Sequence, residues 1–255
     1  MQKKEQRKEQ AFQLVVSAGE ILLQSGAEIF RVEGTMKHMA KSLHIYSLET
    51  YIIANGIFAT AEGEQNLMRA QIKEVSTGDT DLGKIEAVNT LSRDLEQNRC
   101  GLDEALARLE SIRRMGDYPA RLLIPAYGVG SGCFCYALCG SAADAAAAAI
   151  VGLILGIFFW LLRNWKNAKA LKTILGSMLV TFLSLMLLNR GIGSDLNNII
   201  IGGLMPMLPG VSFTNAIRDF VENDYVSGLV RLMDVLLTVV SMAVGVAVIW
   251  QLAVF

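Results

Sequence analysis

Beyond residue 118 the sequence is built from five apolar runs, 119–139, 142–162, 170–189, 196–217 and 232–254. Each is close to the roughly 20 residues that an α-helix needs to cross the hydrocarbon of a bilayer. Lipid offers no partner to a backbone N–H or C=O, so such runs must close their own hydrogen bonds as helices. Most of the Lys, Arg, Asp and Glu, 33 of 47, lie before Arg121, and the later charges cluster mainly in the breaks between runs. The expected architecture is an α+β cytoplasmic domain, residues 1–117, followed by an all-α polytopic membrane domain, residues 118–255, with five transmembrane helices. Arg113, Arg114 and Arg121 precede the first run. Arg163, Lys166, Lys169 and Lys172 separate the second from the third, and Arg218 and Arg231 the fourth from the fifth. Only Arg190 falls on the opposite side, so the N-terminus is expected in the cytoplasm and the C-terminus outside. The opening MQKKEQRKEQ lacks the apolar core and cleavage site of a signal peptide.

The polar part shows two periodicities. Phe12, Val15, Val16, Leu22 and Leu23 recur at helical spacing over residues 8–25, with Gly26 as a natural stop. Ile29, Val32, Met36, Met39 and Leu43 form the stripe of a second helix. Residues 44–75 are rich in β-branched and aromatic side chains, with Asn55-Gly56 and EGEQN (62–66) as turn signals, and predict a three-stranded meander. Two more helical stripes follow: Leu82, Ile85, Val88, Leu91 and Leu95, capped by Thr80 or Asp81, then Leu102, Ala105, Leu106, Leu109 and Ile112.

Little here points to catalysis. No Ser, Cys or Thr stands in a nucleophile motif, and Cys100, Cys133, Cys135 and Cys139 have no nearby His to complete a zinc site. Neither a metal nor a cofactor is expected. Glu28 and Arg31 read as a solvated i, i+3 pair, and His38 and His44 as ordinary surface or core residues. The net charge of −1 gives no footprint for nucleic acid.

The fourth apolar run is the anomaly. IIIGGLMPMLPGVSFTNAIRDF (199–220) holds Pro206 and Pro209, which each remove a donor, and Gly202, Gly203 and Gly210, which loosen the backbone. A broken helix at membrane depth is tolerated only inside protein or beside a wet cavity, and broken spans are how transporters aim helix ends at charged solutes. Gly203, Pro206, Pro209, Gly210, Thr214, Asn215 and Arg218 are therefore the candidate substrate-binding residues. A proline kink made only for packing is the competing account. Asp144 and Asp234, the acids nearest the apolar runs, are candidates for proton coupling, with an Arg231–Asp234 ion pair as the plain alternative for the second. Gly152 and Gly156 in the second run form a G-x-x-x-G pair suited to close helix contact.

GGLMPMLPGVSFTNAIRD (202–219), SGAEIFRVE (25–33) and GDTDLGKIEAVNTLSRDLE (78–96) resemble the signatures of the threonine/serine exporter family, and the resemblance extends over essentially the whole chain. It is similar to the larger subunit of the split type, in which a cytoplasmic domain plus five spans works with a small membrane protein supplying the second half. The resemblance implies a multi-pass protein of the bacterial inner membrane, in contact with lipid and in a hetero-oligomer. It implies export of small carboxylate metabolites: threonine and serine, or dicarboxylates such as succinate. A membrane-anchored enzyme and a membrane-anchored sensor or scaffold, each with its activity in the cytoplasmic domain, are the alternatives. Neither would move solute in sealed vesicles.

Overall fold

The computed structural model describes residues 2–62, 68–76, 78, 80–116, 118–138, 140–165 and 168–254, with side chains except at 2–4, 68 and 254. Most of the expected EGEQN turn, Cys139 and Lys166 lie outside the described residues. The chain divides into two compact units, Met1–Gly116 with Val211–Leu232, and Asp117–Gly210 with Met233–Phe255.

In the first unit α1 (Gln2–Gln24) is the hub. In its charged first half Gln6, Arg7 and Glu9 are exposed, and Leu14, Val15, Val16, Ala18, Ile21 and Leu22 are buried almost all round the second half. Burying side chains of this size is worth about 1.5–3 kcal/mol each. Gly26 ends the helix at φ 79°, donating to the Leu23 carbonyl while Ala27 donates to that of Leu22, the two bonds of a Schellman stop. α2 (Ile29–Ser42) lays Val32, Met36 and Met39 on the same core and ends in the same way, with His44 in the left-handed position.

Strands β1 (Glu49–Ile53), β2 (Gly56–Glu62) and β3 (Met68–Glu74) form the expected antiparallel meander, order β1-β2-β3. Ile53 pairs with Gly56, so the turn is Ala54-Asn55 and Gly56 already belongs to the strand. Ile52, Ile57, Ala59 and Ala61 face the core. On the other face Tyr51, Phe58 and Ile72 lie in one exposed cross-strand row. α3 (Leu82–Glu96) is capped by Asp81, whose side chain accepts the Lys84 N–H at 3.1 Å. It packs on α4 (Leu102–Arg113), which buries Ala105, Leu109 and Ile112.

The second unit begins with α5 (Ala120–Ala137) and α6 (Ala142–Leu161), which meet along a face of small residues. A Cβ on Gly152 would strike Ser131 Oγ and stand 2.6 Å from the Tyr127 carbonyl oxygen, and one on Gly156 would stand 3.1 Å from Ile124 Cα. The G-x-x-x-G pair therefore permits backbone approach. α7 (Lys169–Asn189) and α8 (Leu196–Leu204) complete a core of Val151, Leu155, Val180 and Ile199. A 3₁₀ turn, Met205–Met207, then α9 (Gly210–Val221) and α10 (Tyr225–Val254) follow.

Among the described residues, three helices, α6, α7 and α10, are long and apolar enough to cross a membrane. α8 and α9 qualify only as a broken pair, which raises the number to four at most. α5 falls short of that measure because Arg121 opens it and three glycines, Ser131 and two tyrosines dilute its hydropathy.

Candidate functional site

Two of the motif segments, 25–33 and 78–96, and residues 211–219 of the third come together within the first unit. The left-handed turn at Gly26 leaves the Gly26 and Ala27 carbonyls outside any helix, where they need partners. There is little room for a side chain at Gly26: a Cβ would sit 3.1 Å from Thr80 Oγ1. Asp81 donates its N–H to the Ser25 carbonyl at 3.0 Å, which ties the start of α3 to the same turn. The remaining partners come from α9 and α10. Asn215 donates from Nδ2 to the Gly26 carbonyl at 3.2 Å, and Arg231 from Nη2 to that of Ala27 at 3.1 Å. Ser227 Oγ accepts the Ala54 N–H at 3.2 Å, anchoring the β1–β2 turn as well.

Two ionic sites of different character lie on this polar seam, a buried pair and a carboxylate shared by two arginines. Arg231 Nε stands 3.1 Å from Asp219 Oδ2, with the two side chains 9% and 4% exposed. That contact is ionic without hydrogen-bond alignment. Glu28 occupies the N-cap of α2 yet makes no capping bond; its carboxylate meets Arg31 Nε at 2.7 Å through Oε2 and Arg218 through Oε1. Arg31 and Arg218 both lie over the Phe30 ring, 5.8 and 5.7 Å from its centroid. Glu28 and Arg31 thus make the expected local contact, but Glu28 also binds a residue 190 positions away.

The sequence-derived candidates fall into separate groups. Asn215 and Arg218 belong to this seam, and Thr214, one residue before Asn215, donates its hydroxyl to the Val211 carbonyl at 2.9 Å. Gly203, Pro206, Pro209 and Gly210 belong to the second unit. Gly203 is a packing glycine there, since a Cβ would come 2.8 Å from Val180 and 3.1 Å from Val151. Pro206 sits in the 3₁₀ turn, Leu208 is extended, and Pro209 precedes the first residue of α9. The helical ladder is therefore interrupted where the prolines require it.

Asp144 is 1% exposed and heavily hydrogen-bonded. It closes a capping box with Ser141 at the head of α6 and accepts the N–H groups of Ser194 (2.5 Å) and Asp195 (3.0 Å) and the Ser194 hydroxyl. It pins the α7–α8 connection. Asp234 pairs with Lys169 at 2.7 Å, whereas the partner of Arg231 is Asp219, so the expected Arg231–Asp234 pair is replaced by two tertiary ones. Sequence reasoning missed Glu28, Asp219 and Arg231 as members of one cluster. Glu28 and Asp219 were marked only by their places in the recognised motifs, and Arg231 only as a charge beside the fifth run.

The family model described as "Putative threonine/serine exporter" (ThrE) matches residues 13–253. The chain belongs to the threonine/serine exporter family. No curated protein and no solved structure matches it. Membership of this exporter family, with several helices apolar enough to span, makes the chain a multi-pass membrane protein with a small-molecule substrate. The seam accordingly joins three motifs of an exporter, and among the described residues no three His, Cys, Asp or Glu side chains gather to hold a metal ion.

Proposed function

We propose that this protein is a subunit of an exporter in a bacterial inner membrane, carrying small carboxylate metabolites, either threonine and serine or dicarboxylates such as succinate. The observation that carries the reading is the interrupted α8–α9 segment within a chain matched to an exporter family from residue 13 to 253. Breaks of this kind free backbone N–H and C=O groups to meet polar solutes. The unwound turn at Pro206 and Pro209 contributes such groups, and Arg218 receives a substrate carboxylate on the cytoplasmic side by charge-assisted hydrogen bonds. Five crossings, counting α5, leave the N-terminus inside and the C-terminus outside. A small membrane protein supplies further spans, so the working transporter is a hetero-oligomer.

Flux of labelled threonine and of succinate from sealed vesicles, with and without the small partner, tests the reading. Replacing Pro206, Pro209 and Gly210 together by Ala should restore a continuous helix and stop transport while leaving insertion intact. Undiminished flux through a correctly inserted, proline-free segment would refute the role given to the break.

A further inference from the structure

We infer that Glu28 is an internal carboxylate that competes with the substrate carboxylate for Arg218, so that the exporter is self-occupied until substrate accumulates. The inference rests on the reading of Arg218 as a carboxylate receiver. Glu28 holds an N-cap position, where Ser, Thr, Asp or Asn would serve the helix far better, and its side chain makes no cap. It is turned instead toward two guanidinium groups. A carboxylate is the group a metabolite would present to them, so the exchange replaces one anion by its chemical equivalent.

The contrast between the two ionic sites of the seam supports exchange at one of them. Arg231 and Asp219 are buried, and with Asn215 they hold the Gly26–Ala27 turn. Arg218 is 46% exposed and Glu28 18%, so solvent and solute reach that guanidinium without disturbing the buried pair. Phe30 lies under both Arg31 and Arg218, which keeps the guanidinium groups oriented when Glu28 leaves. A tethered competitor acts at an effective concentration on the order of millimolar. Free substrate must approach that range before it takes the site, which makes the contact a threshold for export.

The test is binding of L-threonine and of succinate to the purified full-length chain by titration calorimetry, with thermal unfolding as the check on folding. Glu28→Gln removes the competitor's charge and should tighten binding roughly fivefold or more, because a site free no more than about a fifth of the time shows its affinity reduced by that fraction. Glu28→Asp, one methylene shorter, should tighten it less and serves as the test if Glu28→Gln does not fold. Arg218→Gln should abolish binding. If Arg218→Gln binds as the wild type does, the reading of Arg218 fails and the competition with it. If Arg218→Gln loses binding while Glu28→Gln binds equally or more weakly, or if neither Glu28 variant binds at all, the competition alone is refuted.

Discussion

The α5–α6 contact gives a quantitative test, because two glycines on these helices differ in what a methyl group would meet. At Gly152 an added Cβ strikes Ser131 Oγ and lies 2.6 Å from the Tyr127 carbonyl oxygen and 2.7 Å from Ser131 Cβ. A backbone oxygen cannot rotate away, so α5 must shift. Overpacking of this kind costs about 1–3 kcal/mol, and the contacts place Gly152→Ala toward the upper end. Alanine returns about 0.5–1 kcal/mol of helix propensity, which leaves a net loss of about 1–2 kcal/mol. At Gly130, in the adjoining helix, nothing lies within 4 Å of the added Cβ. Gly130→Ala should therefore gain about 0.5–1 kcal/mol. Thermal or denaturant unfolding of the full chain in detergent should separate the two variants by about 1.5–3 kcal/mol, in opposite directions from the wild type. Equal stability of Gly152→Ala and Gly130→Ala would show that α5 and α6 do not meet through these glycines.

Arg231→Met should destabilise the first unit by about 3–5 kcal/mol, because Asp219 is then buried without its partner; the double variant Asp219→Leu, Arg231→Met should recover most of the loss, as read by thermal unfolding. Asp144→Asn puts an NH₂ group among donors from Ser141, Ser194 and Asp195. It should cost about 1–3 kcal/mol without moving the pH profile of flux, whereas a shifted profile would give Asp144 a coupling role. Burial pushes the Cys100 thiol up, with Arg108 opposing only in part. Its alkylation rate at neutral pH should fall below that of a free cysteine, and raising the pH toward 9 should accelerate it.

The helices and the meander of the first unit were legible because each uses a local signal. Apolar spacing gave α1 to α4, Gly26 marked a stop that its positive φ explains, and Asp81 was a cap visible in the sequence. The Gly152/Gly156 pair was legible for the same reason. The partners of α9 were not legible. Residues 211–217 are as apolar as a span, and hydropathy cannot tell lipid from protein as the surroundings of a helix face. Asn215 and Asp219 are buried against residues nearly 190 positions earlier or on the next helix. Charges counted along the chain likewise paired Arg231 with Asp234 by helical spacing, where tertiary packing gave each a different partner. Within the candidate site, the prolines announced the break, but nothing in one sequence announced that Glu28 would reach Arg218, 190 positions away, as well as Arg31 on its own helix.

That α9 and the first turns of α10 pack with the N-terminal residues has a consequence for how the chain is made. The residues that complete the first unit, 211–232, are synthesised only after the roughly ninety residues of Asp117–Gly210. At about 5–20 residues per second the ribosome needs about 5–20 s to reach them. Throughout that interval Glu28, Ala54 and the carbonyls of Gly26 and Ala27 stay solvated, and the unit closes by capturing a segment that arrives after α5 to α8 and before the rest of α10. A ribosome-stalling series should show protease protection of residues 25–33 appearing only once Arg231 has left the exit tunnel.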